Sequence, residues 1–191
     1  MPFASQAFRD LAASSSRELE SVLGRGKRPS IEGLLGYEYR GFNHPRRTAL
    51  LGIRKFVKGF FPAAGEAFGF NARATQNGLD GEWIARPDDA NPARFAFFAV
   101  EPVRTDARDS AYPNAVLLDY GRGNNRAYDP ARLLRDYLVR VNDNSDDLLL
   151  GKAYLAFGSA RMPVGFFVLE RHRRFEVEPR SRAAFSVDAL P

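Results

Sequence analysis

The sequence contains no cysteine and only two histidines in 191 residues. Without cysteine the chain cannot form a disulfide scaffold, a zinc finger or a thiol active site. The shortage of histidine means that a metal site would consist mostly of carboxylates, and we expect no metal and no cofactor. Lysine is also scarce, since only four of the 28 basic residues are lysine. Tyrosine, lysine, aspartate and arginine are therefore the groups that remain for chemistry.

Long apolar runs are missing as well. No stretch approaches the ~20 residues that cross a bilayer, and residues 1–10 lack the basic and apolar regions of a signal peptide. We therefore expect no membrane insertion and a cytoplasmic location. The net charge of +5 is small and spread along the chain, so solvated surface arginines explain it better than a nucleic-acid site does. A nucleic-acid-binding module is the weakest functional hypothesis.

Residues 1–26 are predicted to form an N-terminal helix. Phe8, Leu11 and Leu19 lie near a helical period. Ser15 and Glu18 have the spacing of a capping box, and glycines around residue 25 end the segment. A helix with one apolar stripe has to cover another apolar surface.

From residue 31 the pattern changes to short apolar and aromatic runs separated by turn residues. The dipeptides Asn77-Gly78 and Asp80-Gly81 favour tight hairpins. No long helical segment separates the runs, which argues against a βαβ sheet. Nine runs have this pattern: Leu34–Phe42, Ala49–Phe61, Ala67–Thr75, Glu82–Arg86, Arg94–Glu101, Asn114–Tyr120, Arg135–Asn142, Leu148–Phe157 and Pro163–His172.

These runs predict a mainly β protein with a single domain over residues 1–191. Its centre is an antiparallel meander β-barrel of about eight to nine strands over residues 31–172, because closure removes the unpaired edges of a large sheet. The N-terminal helix covers the barrel, and residues 173–191 form a C-terminal extension. A barrel of this size is either filled by side chains or holds one small ligand.

Some strands are apolar on both faces. In the run at 94–101, Phe95 and Phe97 point one way while Phe98 and Val100 point the other way. The outer face then needs a cover, which is the N-terminal helix, a second subunit, or both. A homodimer is the main alternative to the helix.

Other strands carry polar groups among the apolar ones. Lys152 and Tyr154 share a strand face, whereas adjacent residues such as Asp136 and Tyr137 point to opposite faces. Polar groups that converge in an apolar cavity are typical of a small-molecule site. An ordinary surface position is the alternative for Lys152 and Arg73. The candidate ligand-binding residues are Tyr37, Tyr39, Lys58, Asn71, Arg73, Trp83, Tyr120, Tyr137 and Arg171.

Two functions are consistent with this pattern. The first is the binding of an apolar or amphipathic small molecule inside the barrel. The alternative is an isomerase or cyclase that uses the same cavity without metal or cofactor. In that enzyme Lys152 and Tyr154 are the catalytic acid–base groups, because desolvation in an apolar barrel lowers the pKa of a lysine.

Two stretches early in the chain resemble the bacterial GXWXG-domain family. They are Leu35–Gly41 and Lys55–Phe60, and Tyr39 stands where that family has tryptophan. Later segments, at residues 118–120, 136–142, 150–152 and 166–171, resemble the companion domain that ends those proteins. The resemblance implies a compact β-rich fold and no established chemistry.

The layout is also similar to the calycin superfamily of lipocalins and fatty-acid-binding proteins. Calycins have an N-terminal helical turn, an early strand with an aromatic residue, and a late basic residue that packs across it. Tyr39 and Arg171 stand in the places of this pair. The resemblance therefore implies that a cation resting on an aromatic ring closes one end of the barrel.

Overall fold

The computed structural model describes residues 3–44 and 53–175. Within these ranges eight strands form a closed barrel, in which each strand pairs antiparallel with the next and β1 pairs with β8. The helices are α1 (Gln6–Ala13), α2 (Ser16–Arg25) and α3 (Ile31–Leu34), with a short 3-10 helix at Pro130–Leu133. The strands are β1 (Tyr37–Asn43), β2 (Lys55–Ala63), β3 (Glu66–Arg73), β4 (Arg94–Pro102), β5 (Val116–Asp119), β6 (Leu134–Asn142), β7 (Ser145–Phe157) and β8 (Ala160–Arg174).

The predicted meander barrel is confirmed, with eight strands in the described part of the chain. The run Glu82–Arg86, which we predicted to be a strand, is instead a loop with a single bridge between Ala74 and Ala85. Both edges of β3 are already paired, with β2 and β4, so no edge is left for a further strand beside it. Of the predicted C-terminal extension, residues 176–191 lie outside the described residues.

The predicted N-terminal helix is two helices rather than one. Ser15 Oγ accepts a hydrogen bond from the Glu18 backbone nitrogen at 3.3 Å, and the Glu18 carboxylate accepts one from the Ser15 backbone nitrogen at 2.7 Å. A capping box satisfies the first amides of a helix, so it begins α2 here and interrupts the single helix that we predicted. In the described part of the chain, no helix has the length and apolar character to cross a membrane.

The barrel wall separates two apolar clusters. On the outside, Phe8 of α1 and Leu19 and Leu23 of α2 are fully buried and belong to one cluster with outward-facing strand residues such as Val139 and Leu150. The other cluster fills the inside of the barrel. The helices thus cover part of the outer face, as predicted, and the homodimer stays a prediction.

One end of the barrel is closed. Leu34 of α3 is fully buried in the inner cluster. The guanidinium carbon of Arg171 lies 4.0 Å from the ring centre of Tyr37 and 5.4 Å from that of Tyr39, and the Tyr39 hydroxyl donates to the Asp146 carbonyl at 3.0 Å. The predicted contact between a cation and an aromatic ring is present at this end.

Two glycines make room for aromatic rings in the middle of the barrel. A Cβ atom on Gly41 would lie 2.3 Å from the ring of Phe56, and one on Gly151 would lie 2.0 Å from the ring of Phe167. Since real Cβ atoms do not approach so closely, both rings depend on glycine at these positions. The two rings have centres 6.1 Å apart, and both line a cavity at the end of the barrel opposite α3.

Candidate ligand-binding cavity

A cavity of about 160 Å³ lies at the end of the barrel opposite α3, where β1 ends and β2 begins. An apolar cavity of about 150 Å³ admits a molecule the size of benzene, so this space suits one ring or a few carbon atoms. Its wall is apolar and includes Ile53, Phe56, Phe95, Leu134, Val164 and Phe167. Its polar lining includes Lys58, Asn71, Tyr120 and Asp136, which we call the cavity floor.

Strand register brings the cavity floor together. Lys58 on β2 pairs with Asn71 on β3, and paired residues on antiparallel strands point to the same face. Tyr120 directly follows β5, and Asp136 on β6 pairs with Leu118 on β5, two residues before Tyr120. All four side chains therefore point into the barrel.

Tyr120 connects the other side chains of the floor. Its hydroxyl accepts a hydrogen bond from Lys58 Nζ at 2.7 Å and donates one to Asp136 Oδ2 at 2.8 Å. Lys58 Nζ also lies 3.4 Å from Asp136 Oδ2. Asn71 Nδ2 donates to the Tyr120 hydroxyl at 3.3 Å and to the Ala96 carbonyl at 3.0 Å. The result is a hydrogen-bonded network with a tyrosine between a lysine and a carboxylate.

The ionisable groups of the floor are desolvated. The side chains of Lys58 and Asp136 are only 2% and 5% exposed. Burial lowers the pKa of Lys58 to about 8, even though the nearby Asp136 charge acts in the opposite direction. Burial also raises the pKa of Asp136 and the pKa of Tyr120. The floor thus holds a lysine, a tyrosine and a carboxyl group whose neutral forms are all favoured by burial.

One oxygen atom of the floor lacks a hydrogen-bond partner in the part of the chain that the structure describes. Asp136 Oδ1 is buried, and none of the described residues forms a hydrogen bond with it. A buried carboxylate oxygen without a partner costs free energy. Asp136 is also one of the residues that line the cavity.

Aromatic rings surround the amine of Lys58. Its Nζ lies 4.5 Å from the ring centre of Phe98 and 5.2 Å from that of Phe167. Such contacts stabilise a cation in an apolar site. They also hold the amine within the barrel, next to the cavity.

Lys152 and Tyr154 lie outside the barrel, so their predicted place in the cavity is wrong. Lys152 Nζ donates to Glu20 Oε2 of α2 at 2.6 Å and to the Tyr112 hydroxyl at 2.9 Å, and the hydroxyls of Tyr112 and Tyr154 are 3.0 Å apart. Burial alone would lower the pKa of Lys152, but its contacts with Glu20 and Tyr154 outweigh burial and raise it. The expected lowering of this pKa is therefore also wrong.

The other predicted residues are spread over the molecule. Lys58, Asn71 and Tyr120 line the cavity, whereas Tyr37, Tyr39 and Arg171 lie at the closed end. The side chain of Arg73 is exposed at the end of β3, with its guanidinium carbon 6.0 Å from the ring centre of Phe95. Trp83 and Tyr137 belong to the apolar cluster on the outside of the barrel, which corrects their predicted place in the cavity.

Trp83 and Tyr137 face outward for identifiable reasons. The loop that follows β3 carries Trp83 to α1, where its ring meets Phe8 edge to face with centres 5.7 Å apart. Tyr137 is the neighbour of Asp136 on β6, so it has to point away when Asp136 points inward. Its ring packs edge to face on Tyr112, with centres 5.1 Å apart.

Sequence reasoning missed Asp136 as a member of the site. As an acid–base group we considered it only in a pair with Tyr137, its neighbour, which cannot share its face. Its partner Tyr120 lies 16 positions earlier, directly after the adjacent strand β5. The register between β5 and β6 would have identified Asp136. Leu118 pairs with Asp136 and lies two residues before Tyr120, so an inward-pointing Leu118 places both Asp136 and Tyr120 inside the barrel.

No protein-family model matches the sequence, and no curated protein is significantly similar to it. Among the described residues, no group of three or more histidine, aspartate or glutamate side chains is arranged to hold a metal ion.

Proposed function

We propose that this protein binds a small, uncharged molecule with an apolar body of about one ring and one polar group. The observation that carries the proposal is the cavity of about 160 Å³ with apolar walls and a polar floor. Small-molecule sites have this composition, in which apolar walls bury the body of the ligand and a few polar groups orient it. This volume lies below the usual range for such sites, so the ligand is small.

The charge balance of the floor favours a neutral ligand. Lys58 and Asp136 form an ion pair at 3.4 Å in a desolvated site, so their charges compensate each other. A charged ligand would add an uncompensated charge to this site, which is costly. The unpartnered Asp136 Oδ1 favours a ligand with a hydrogen-bond donor, such as a hydroxyl group.

A relation to the calycins is part of the proposal. The eight-strand meander, the burial of Leu34 at the closed end and the position of Arg171 over Tyr37 and Tyr39 all support it. The relation to the GXWXG-domain family rests on the sequence segments alone. The cytoplasmic location and the homodimer are predictions from sequence that we carry forward unchanged.

Benzyl alcohol tests the proposed function directly, since it combines one ring with one hydroxyl. We expect binding that calorimetry detects in the wild-type protein. The variant Ala153→Leu fills the cavity from β7 and should reduce the affinity by about tenfold or more, which is about 1.4 kcal/mol. Ala160→Leu is the matched control, because Ala160 is exposed on β8. Equal affinity in both variants, or no binding to the wild type, would overturn the proposal.

We infer an acid–base enzyme as the second candidate, an isomerase or cyclase without cofactor. It is favoured by the contact between Lys58, Tyr120 and Asp136 in the cavity, and these residues replace Lys152 and Tyr154 in that role. Cyclohexanone in D₂O tests it, because an acid–base site exchanges the hydrogens next to the carbonyl. Exchange should disappear in Asp136→Asn and persist in Lys152→Met. Exchange at the uncatalysed rate in the wild type would exclude this candidate.

A further inference from the structure

We propose that Lys58 is the nucleophile of a carbonyl-capture site, in which its amine forms an imine with a small aldehyde or ketone held in the cavity. The inference rests on the proposed function, because the carbonyl compound has to occupy the same cavity. It adds a substrate class and a covalent step to that function. The wall then holds the apolar body of the compound, and the carbonyl carbon lies against Lys58.

The geometry supplies both groups that the step requires. Lys58 lines the cavity, and its amine is in contact with a hydroxyl and a carboxyl group, Tyr120 at 2.7 Å and Asp136 at 3.4 Å. Imine formation needs a nucleophile together with a group that moves protons between nitrogen and oxygen. Asp136 Oδ1 is buried without a hydrogen-bond partner among the described residues, so no described donor competes with the substrate for it.

The step balances in atoms and charge. A proton moves from the Lys58 ammonium to the Asp136 carboxylate, which leaves a neutral amine. The amine attacks the carbonyl carbon, the C–N bond forms, and the carbonyl oxygen takes up the proton of Asp136. Asp136 then carries one proton from nitrogen to the new hydroxyl, which leaves as water when the C–O bond breaks. A protonated imine replaces the ammonium ion, and the charge of Asp136 remains compensated.

The neutral amine is accessible near neutral pH. Burial lowers the pKa of Lys58 to about 8, against an ordinary value of 10.5. At pH 7 this difference increases the neutral fraction by about two orders of magnitude. Desolvated lysines are the usual nucleophiles of imine-forming sites for this reason.

The other lysines lack this combination. Lys55 Nζ is buried, but it donates to Asn77 Oδ1 and to the carbonyls of Gly81 and Glu82 at 2.5, 2.8 and 3.0 Å. An ammonium group has three donors, so these contacts occupy all of them. Burial lowers the pKa of Lys55 to about 8 as well, but Lys55 is not among the residues that line the cavity. Lys27 is exposed and pairs with Asp143 at 3.2 Å, and Lys152 pairs with Glu20.

Borohydride trapping tests the inference on the full chain. Benzaldehyde is the probe, because it combines one ring with one aldehyde, and borohydride reduces an imine to a stable benzylamine. We expect one benzyl group on Lys58 at pH 7, formed about tenfold or more faster than on Lys27. Peptide mapping separates Lys58 from the other three lysines and from the α-amino group. Benzyl alcohol, which fills the same space without a carbonyl, should suppress the labelling of Lys58 alone.

Two variants complete the test. Lys152→Met should be labelled on Lys58 like the wild type. Lys58→Met combined with Asp136→Asn removes the amine without leaving a buried charge, and it should lose the cavity label while Lys27 is still labelled. Label spread evenly over the lysines, or an unlabelled Lys58 in a protein that binds benzyl alcohol, would overturn the imine and leave the proposed function standing. If benzyl alcohol does not bind either, the proposed function itself fails.

Discussion

The protein contains two clusters in which a lysine, a tyrosine and a carboxylate meet, and they differ in where they lie. The cavity floor joins Lys58 to Tyr120 and Asp136 inside the barrel. The outer cluster joins Lys152 to Tyr112 and Glu20 between α2 and the barrel wall. The residue types are the same, and the distances from lysine to tyrosine are 2.7 and 2.9 Å.

Solvent makes these two clusters chemically different. Both partners are almost completely buried in the floor, whereas Glu20 is 47% exposed in the outer cluster. Burial therefore dominates in the floor and lowers the pKa of Lys58 to about 8. In the outer cluster the partners of Lys152 dominate and raise its pKa. A lysine–tyrosine pair thus indicates a ligand-binding or catalytic site only when the burial of its side chains is also known.

The largest expected difference between the clusters is in stability. Lys58→Met leaves the Asp136 carboxyl buried without its cation, so we expect a loss of about 3–5 kcal/mol in the free energy of unfolding. Lys152→Met breaks a pair that reaches solvent and should cost about 1 kcal/mol or less. Urea unfolding of both variants measures this. Equal losses would show that the clusters do not differ in burial.

A second difference is expected in titration. In protein with ¹³C at the lysine ε carbons, Lys58 should titrate near its pKa of about 8, and Lys152 above 10.5. The pKa of Lys58 is about 8 in the folded protein and about 10.5 in the unfolded chain, so between these two pH values the unfolded chain holds more protons on Lys58. The contribution of Lys58 to stability should therefore rise as the pH increases from about 8 to about 10.5. The contribution of Lys152 should instead fall as the pH rises through its elevated pKa. The reverse order of the two pKa values would contradict the comparison.

Removal of one hydroxyl gives a smaller contrast. Tyr120→Phe takes a hydrogen bond from both Lys58 and Asp136 in a buried site, so we expect a loss of about 1–3 kcal/mol. Tyr112→Phe affects groups that water is able to reach, and its cost should be about 1 kcal/mol or less. Thermal and urea unfolding compare the two variants. A larger loss of stability for Tyr112→Phe than for Tyr120→Phe would contradict the claim that the network inside the barrel is the more desolvated of the two.

Salt should produce the smallest effect. The Lys152–Glu20 coupling energy from a double-mutant cycle should decrease when salt rises to about 1 M, because exposed charges are screened. The Lys58–Asp136 coupling should change little, because the pair lies inside the barrel. A strong salt dependence of the inner pair would mean that solvent reaches the floor.

The sequence was sufficient for the architecture. The alternation of short apolar runs predicted the meander barrel, and the two-sided runs predicted a cover on its outer face. The prediction of a strand at Glu82–Arg86 was wrong, because the pattern of apolar residues in that run does not show that both edges of β3 are already paired. The break between α1 and α2 was present in the sequence as a capping box, whose position inside the predicted helix was the clue to two helices.

The site was only partly predictable. Lys58, Asn71 and Tyr120 were found because they are polar residues in apolar strands. Lys152 was placed inside because its strand alternates in the same way, and the inward face of a two-sided strand is fixed only by register with its neighbours. Asp136 was missed for the same reason, since its contact with Tyr120 crosses between two strands.

The most direct measurement of the central claim is the response of the lysine ε-carbon signals to benzyl alcohol. If the cavity above Lys58 is the binding site, the Lys58 signal should shift in a saturable way while the Lys152 signal stays in place. In Ala153→Leu the shift should require about tenfold more benzyl alcohol. A stationary Lys58 signal, or equal shifts at Lys58 and Lys152, would contradict a ligand site inside this barrel.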